Sequence, residues 1–189
     1  MKIILGSSSK FRQKVMQDLG YDFEVISPNI DEKNIRDNDL KKLVLKIAYA
    51  KANAIIEKIK EPALIITADQ VISFNGTIRE KPVSKEEAYQ FLSSYKEKPL
   101  EAINGIVVTN TKRKIQKSGI DIVKVYLRPI PKNIINKLID EGLIFHCAGA
   151  LRFEDPLMKP FIQKIEGSEG SLMGLPKILT IKLITNVIS

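Results

Sequence analysis

The sequence predicts an α/β fold. Short apolar runs with strand character alternate with helix-period segments along the chain. The first run, Ile3-Ile4-Leu5, passes directly into a helical pattern. A hydrophobic content of 44% in 189 residues is enough to bury a full core. The order reads strand, helix, strand, long helix, hairpin, helix, long strands, helix and a mixed end. No internal repeat, low-complexity tract or linker interrupts it, so residues 1–189 are treated as a single domain with room for two lobes.

Each element has a local reason. A helix over about residues 10–19 places Phe11, Val15, Met16 and Leu19 on one face, with Ser9 as N-cap and Gly20 as stop. A long helix over about residues 38–60 repeats Leu40, Leu43, Val44, Ile47, Ala50 and Ala54 at helical spacing. Leu64-Ile65-Ile66 and Val71-Ile72-Ser73-Phe74 read as strand, closed by an Asn75-Gly76 hairpin turn. Ser84, with Glu87 three residues on, has the form of a capping box for a helix through Tyr95. Residues 103–108 and 120–126 alternate as strands around a polar turn at 110–117. Pro131 opens a helix that ends near Gly142.

Composition narrows the function classes. The one cysteine, Cys147, rules out an intrachain disulfide and any CxxC zinc pattern. No apolar stretch approaches the roughly 20 residues of a membrane span, so a soluble, cytoplasmic protein without a membrane partner is expected. A net charge of +8 suits a polyanionic partner without choosing among nucleic acid, lipid surface and nucleotide. Most of the lysine clusters read as solvated faces. An aromatic content of 6% gives little support to a single-strand-binding surface.

The most informative segment is Thr67-Ala68-Asp69-Gln70-Val71, followed by Arg79-Glu80-Lys81-Pro82. Asp69 interrupts an apolar run, where an unpartnered carboxylate is costly, and a lysine follows within one hairpin. The turn Gly6-Ser7-Ser8-Ser9 between strand and helix offers N–H groups and hydroxyls at a positive dipole end, a form of phosphate cradle. It lacks the P-loop pattern, so alone it is a weak signal, and ordinary helix capping by serine is the commoner explanation. Arg12, one turn in, can hold a phosphate with two donors. Asp31-Glu32 reads as either a solvated loop or an acidic pair at a site. Lys51 reads as either an exposed ion-pair partner or a phosphate ligand.

These segments together resemble the Maf family of nucleoside triphosphate pyrophosphatases across nearly the whole chain. Leu5-Gly6-Ser7-Ser8-Ser9-Lys10-Phe11-Arg12 is similar to the family's Leu-Ala-Ser-x-Ser-Pro-x-Arg, with Gly and Lys substituted. Pro28-Asn29-Ile30-Asp31-Glu32 resembles Pro-x-x-Asp-Glu, and Ala50-Lys51-Ala52 resembles the Ala-x-x-Lys-Ala helix. Ala68-Asp69-Gln70-Val71 with Glu80-Lys81-Pro82 matches the central motif. Ala148-Gly149-Ala150 and Met173-Gly174-Leu175-Pro176 match the two closing ones. The family's Ser-Gly-x-x-His pattern is absent at Ser94-Tyr95-Lys96-Glu97-Lys98, which leaves the shape of that loop open.

The resemblance implies an inosine-triphosphatase-like α/β fold, a mixed twisted sheet with flanking helices and a cleft between two lobes. It implies hydrolysis of a nucleoside triphosphate to the monophosphate and pyrophosphate with Mg²⁺ or Mn²⁺, and a homodimer. By the same resemblance Asp69 is the proton acceptor and a metal contact, and Glu32 is a second acidic and metal-binding group. Arg12, Lys51 and Lys81 clamp phosphates, and Ser7, Ser8 and Ser9 supply donors. That chemistry needs carboxylates, a base and several cations, as the residues here provide.

Three positions separate branches of the family. The dTTP/UTP branch carries Arg, Thr and Gln; this chain carries Phe11, Gln70 and Glu154, closer to the aromatic, Gln and Glu of the 7-methyl-GTP branch. A carboxylate suits the N–H donors of guanine, and an aromatic face suits the cationic methylated ring. Phe11 reads equally as the first core contact of its helix. The alternatives are a pyrophosphatase for dTTP, UTP or CTP, and a non-enzymatic nucleic-acid-binding or cell-division protein that uses the basic surface.

Overall fold

The computed structural model describes residues 1–189, the side chain of Glu169 apart. The strands are β1 (Lys2–Leu5), β2 (Glu24–Val25), β3 (Ala63–Phe74), β4 (Thr77–Arg79), β5 (Leu100–Asn110), β6 (Ile115–Leu127) and β7 (Ile162–Glu166). The helices are α1 (Lys10–Asp18), α2 (Leu40–Ile56), α3 (Lys85–Ser94), α4 (Lys132–Glu141), α5 (Glu169–Leu172) and α6 (Lys177–Ile188). The sheet order is β2-β1-β3-β5-β6-β7, with β4 paired to β3. β1 is parallel to both β2 and β3, whereas β3 with β4 and β6 with β7 are antiparallel. This is the mixed α/β sheet with flanking helices expected from the sequence.

The chain divides into two compact units, the first comprising residues 1–70, 103–121 and 169–189, the second 71–102 and 122–168. In the first unit, alternation along β3 sends neighbouring side chains to opposite faces. Leu64, Ile66 and Ala68 join Leu5, Ile106 and Val108 in a core closed by Val15 and Met16 of α1 and by Leu183, Ile184 and Val187 of α6. Ala63 and Ile65 pack with Ile4 and with Ile55 of α2, while Ala48 and Ala52 of α2 meet Val107. The parity of β3 therefore decides which side chains reach α2 and which reach the α1/α6 side.

In the second unit, Asn75 and Gly76 both take positive φ, 53° and 76°, as the tight β3–β4 hairpin requires. Ser84 caps α3 by accepting the N–H of Glu87 at 3.1 Å. The Glu87 carboxylate reaches back to the N–H of Val83, not Ser84, at 2.8 Å. Arg79 lies over the rings of Phe74 and Phe91, 5.3 and 4.4 Å from their centroids. The Tyr95 hydroxyl donates to the carbonyl of Gly149 at 2.8 Å, and the Gly149 N–H donates to the carbonyl of Glu80 at 2.9 Å. Gly149 has φ 65°, and a Cβ there would stand 2.8 Å from the Tyr95 hydroxyl, so the Ala-Gly segment is a close-packed junction. Tyr95 stands where the family pattern has glycine and follows α3 in ordinary helical geometry, so the loop there needs no glycine.

Several boundaries and faces differ from the sequence reading. α2 begins at Leu40 because the Asp39 carboxylate accepts the N–H groups of Lys41 and Lys42, at 2.9 and 3.3 Å. The two strand segments read at 64–66 and 71–74 are one continuous strand, β3, which runs through Asp69 because the carboxylate has a partner and need not turn out to water. Phe11 is 42% exposed and makes no part of the α1 core face, which Val15 and Met16 form. Among the described residues no helix is long and apolar enough to cross a membrane.

Candidate active site

Thr67 and Asp69 follow Ile65 on the α2-facing parity of β3. The Thr67 hydroxyl donates to the carbonyl of Ala48 at 2.8 Å, and Oδ1 of Asp69 accepts from Nζ of Lys51 at 2.9 Å. Helical spacing on α2 puts residues 48, 51, 52 and 55 on that side, which is why a lysine in an apolar stripe ends up under a strand. Lys51 is 5% exposed and Asp69 6%. The reading of Lys51 as an exposed ion-pair partner is thereby corrected: its ammonium is buried and shared. Oε1 of Glu32 lies 3.0 Å from the same Nζ, and the carbonyl of Ala68 3.5 Å. Glu32 opens a short 3-10 turn capped by Asp31, whose carboxylate accepts the N–H of Lys33 at 3.1 Å and an amide N–H of Asn34 at 2.8 Å. Asp31 thus holds the turn, and Glu32 is free to face the lysine.

Arg12 reaches the same strand from α1. Its Nη1 donates to the carbonyl of Ala68 at 2.8 Å and to Oγ of Ser7 at 3.4 Å, and its Nε donates to the carbonyl of Gly174 at 2.9 Å. Desolvation pulls the guanidinium below its ordinary pKa, and the charges of Asp69 and Glu32 oppose that shift. Arginine remains charged throughout. Part of the expected phosphate clamp is therefore committed to holding the Gly174 segment against β3. Nη2 makes no hydrogen bond among the described residues.

In the serine turn, Oγ of Ser7 accepts the N–H of Ser9 at 3.2 Å, and Oγ of Ser9 accepts the N–H of Arg12 at 3.4 Å. Ser7 is buried and Ser8 exposed. The N–H groups of Lys10 and Phe11 have no acceptor among the described residues, as the first turn of a helix leaves them, and that of Ser8, one residue before the cap, has none there either. Capping and donor display therefore coexist.

Gln70 takes the opposite parity from Asp69 and lies on the α6 side. Its Nε2 donates to Oδ1 of Asn104 at 3.0 Å and to the carbonyls of Ser171 and Leu172 at 3.2 and 3.4 Å. Asn104 was not singled out by sequence reasoning. Its signal was available: an amide among inward-facing positions of β5, in step with Ile106 and Val108.

Ser7, Arg12, Glu32, Lys51, Asp69 and Gln70 thus gather around one end of the first unit's β3, with Ser8, Ser9 and Phe11 on the adjoining turn and helix. Lys81 and Glu154 belong to the second unit, where both are exposed. Glu154 pairs with Nε of Arg152 at 3.4 Å. Both act on the thiol of Cys147: burial pushes its pKa up first, Glu154 adds to that, and Arg152 and Lys81 oppose it. No group of three or more histidine, cysteine, aspartate or glutamate side chains converges among the described residues. A divalent cation here has two carboxylates, Asp69 and Glu32, to draw on.

The chain matches the family described as Maf-like protein over residues 2–187. It is 42% identical to a 7-methyl-GTP pyrophosphatase from Dictyostelium discoideum, over 98% of this chain and 96% of that one. It is 33% identical to a 7-methyl-GTP pyrophosphatase from Vibrio vulnificus, over 97% and 93%. A dTTP/UTP pyrophosphatase from Clostridium perfringens is 32% identical over 98% and 97%. In fold, the chain is similar to a HAM1 protein from Coxiella burnetii, with a TM-score of 0.51, 12% identity, and 100% and 98% of the two chains covered.

Proposed function

Because the chain belongs to the Maf-like protein family, we propose that it is a nucleoside triphosphate pyrophosphatase whose preferred substrate is 7-methyl-GTP. The observation that carries the reading is the buried Asp69 carboxylate held at 2.9 Å by Lys51, with Glu32 on the same ammonium. A water whose proton passes to Asp69 attacks the α-phosphorus. The new P–O bond forms as the bond to the β-phosphate bridging oxygen breaks, and pyrophosphate leaves with the electron pair. Lys51, Arg12 and the open N–H groups of the serine turn bind the phosphate oxygens; Lys81 has a phosphate-binding role by the family resemblance alone.

In the resting site Arg12 and Lys51 balance Asp69 and Glu32, so an added triphosphate needs further positive charge. Magnesium is usually held by one or two carboxylates together with substrate phosphates, and Asp69 and Glu32 fit that role. A bound Mg²⁺ or Mn²⁺ would supply charge neutralisation on the phosphates. The carboxylates' own task is to hold it and, for Asp69, to accept the proton.

For the base, Phe11 offers an exposed ring one residue from Arg12, and Gln70 adjoins Asp69. Glu154 completes the set by the family resemblance. The 42% identity to the Dictyostelium 7-methyl-GTP pyrophosphatase, against 32% to the Clostridium dTTP/UTP pyrophosphatase, supports this choice over the dTTP/UTP alternative. A cytoplasmic homodimer belongs to the same reading, and sedimentation of the pure protein tests its oligomeric part.

The test is pyrophosphate release from 7-methyl-GTP, GTP, UTP, CTP and dTTP with Mg²⁺ or Mn²⁺, for wild type and Asp69→Asn. Release fastest from 7-methyl-GTP and abolished in Asp69→Asn is expected. Preference for UTP or dTTP would keep the mechanism and remove the base assignment. No release from any nucleotide would remove both.

A further inference from the structure

We infer that Asn104 is a positioning residue that fixes the Gln70 amide with its carbonyl end outward, so the site presents an obligate hydrogen-bond acceptor to the base. The orientation follows from the partners. The carbonyls of Ser171 and Leu172 accept only, and both lie near one end of the Gln70 amide, so that end is the nitrogen. The same logic orients Asn104: its Nδ2 donates to the carbonyl of Ser171 at 3.1 Å, which turns its Oδ1 toward Gln70. Asn104 and Ser171 are both 0% exposed, so no water competes for these bonds. Of the three acceptors on Gln70 Nε2, Asn104 Oδ1 is nearest at 3.0 Å. Gln70 Oε1 has no donor among the described residues.

This deepens the base assignment above and rests on it. Bases with a ring N–H on the pairing edge, guanine at N1 and uracil or thymine at N3, can donate to a fixed carbonyl oxygen. Cytosine at N3 and adenine at N1 present an acceptor there and meet repulsion. An amide free to turn would offer its N–H₂ to cytosine and lose that discrimination. The substrate class selected at this position is therefore the ring N–H bases, and Asn104, as the nearest of the three acceptors on Gln70 Nε2, strengthens that selection without touching the nucleotide.

The experiment compares kcat and KM for 7-methyl-GTP and CTP in wild type, Asn104→Leu and Asn104→Asp, with calorimetric binding of the corresponding monophosphates as a readout free of turnover. In Asn104→Leu the 7-methyl-GTP to CTP ratio should fall about tenfold, the worth of one hydrogen bond in a buried site. The change should appear in KM and in monophosphate affinity, with kcat for 7-methyl-GTP nearly unchanged. Asn104→Asp loses the N–H donated to Ser171 but keeps an acceptor for Gln70 Nε2, and should keep the ratio within about twofold of wild type. If Asn104→Leu does not fold, Asn104→Ala, which also lacks an acceptor, carries the same expectation.

An unchanged ratio in folded Asn104→Leu, or equal loss in Asn104→Asp, overturns the positioning role. A wild type that prefers CTP or shows no base preference overturns the underlying assignment instead, so the two failures are told apart.

Discussion

Lys51 Nζ stands 2.9 Å from Oδ1 of Asp69 and 3.0 Å from Oε1 of Glu32, so one ammonium joins a buried carboxylate to an exposed one. The side chains of Lys51 and Asp69 are only 6% and 9% exposed, whereas that of Glu32 is 49% exposed. Removing the lysine takes from Asp69 its only hydrogen-bonded cation among the described residues, in a place water hardly reaches.

Lys51→Met should therefore destabilise the protein by about 3–5 kcal/mol, the usual cost of breaking a buried pair from one side. Asp69→Asn should cost less, about 1–2 kcal/mol, because Lys51 keeps Glu32 and the amide oxygen still accepts. Urea unfolding of the two variants measures the difference. Equal midpoints for Lys51→Met and wild type would mean that the pair contributes nothing to the fold.

Gly6 carries a second expectation. Alanine, the residue of the family motif at this position, looks harmless from sequence, since the backbone shape is ordinary. Yet a Cβ on Gly6 would stand 2.4 Å from Cδ1 of Ile55 and 2.6 Å from Cγ2 of Thr67. The Thr67 methyl cannot turn away without surrendering the hydroxyl's bond to Ala48. Gly6→Ala should cost about 1–3 kcal/mol through overpacking. In a Thr67→Ser, Ile55→Val background, which removes both atoms, the same change should cost clearly less. A double-mutant cycle by thermal or urea unfolding checks this, and additivity would refute the steric account.

These cases show which parts of the molecule can be read from the chain. Capping residues and turns act over a few neighbours, so Ser9, Ser84 and Asn75-Gly76 were legible. The burial of Lys51 was less so, because it depends on α2 being covered on the side that carries residues 48, 51, 52 and 55. Only the pairing of that side with the odd-numbered face of β3 makes a lysine an interior residue. The exposure of Phe11 could not be read from its helical spacing, since α1 needs only Val15 and Met16 to seal its side of the core. Asn104 was legible in kind, as a polar residue at an inward strand position. Its partners Gln70 and Ser171 lie 34 and 67 residues away in sequence, and only the fold brings them to it.

The thiol of Cys147 provides a readout of Lys81 and Glu154 that needs no nucleotide. Burial raises its pKa first, Glu154 raises it further, and Arg152 and Lys81 lower it. The thiolate is the reactive form, so alkylation at pH 8 should be slower than for an unperturbed cysteine, and the rate should keep climbing at more alkaline pH. Glu154→Gln removes an anion beside the developing thiolate; its pKa falls and alkylation at fixed pH accelerates. Lys81→Met removes a cation and should act in the opposite direction. Iodoacetamide labelling rates across pH 7 to 10, followed by mass spectrometry, give both signs. A profile indifferent to both substitutions would separate Lys81 and Glu154 from this thiol.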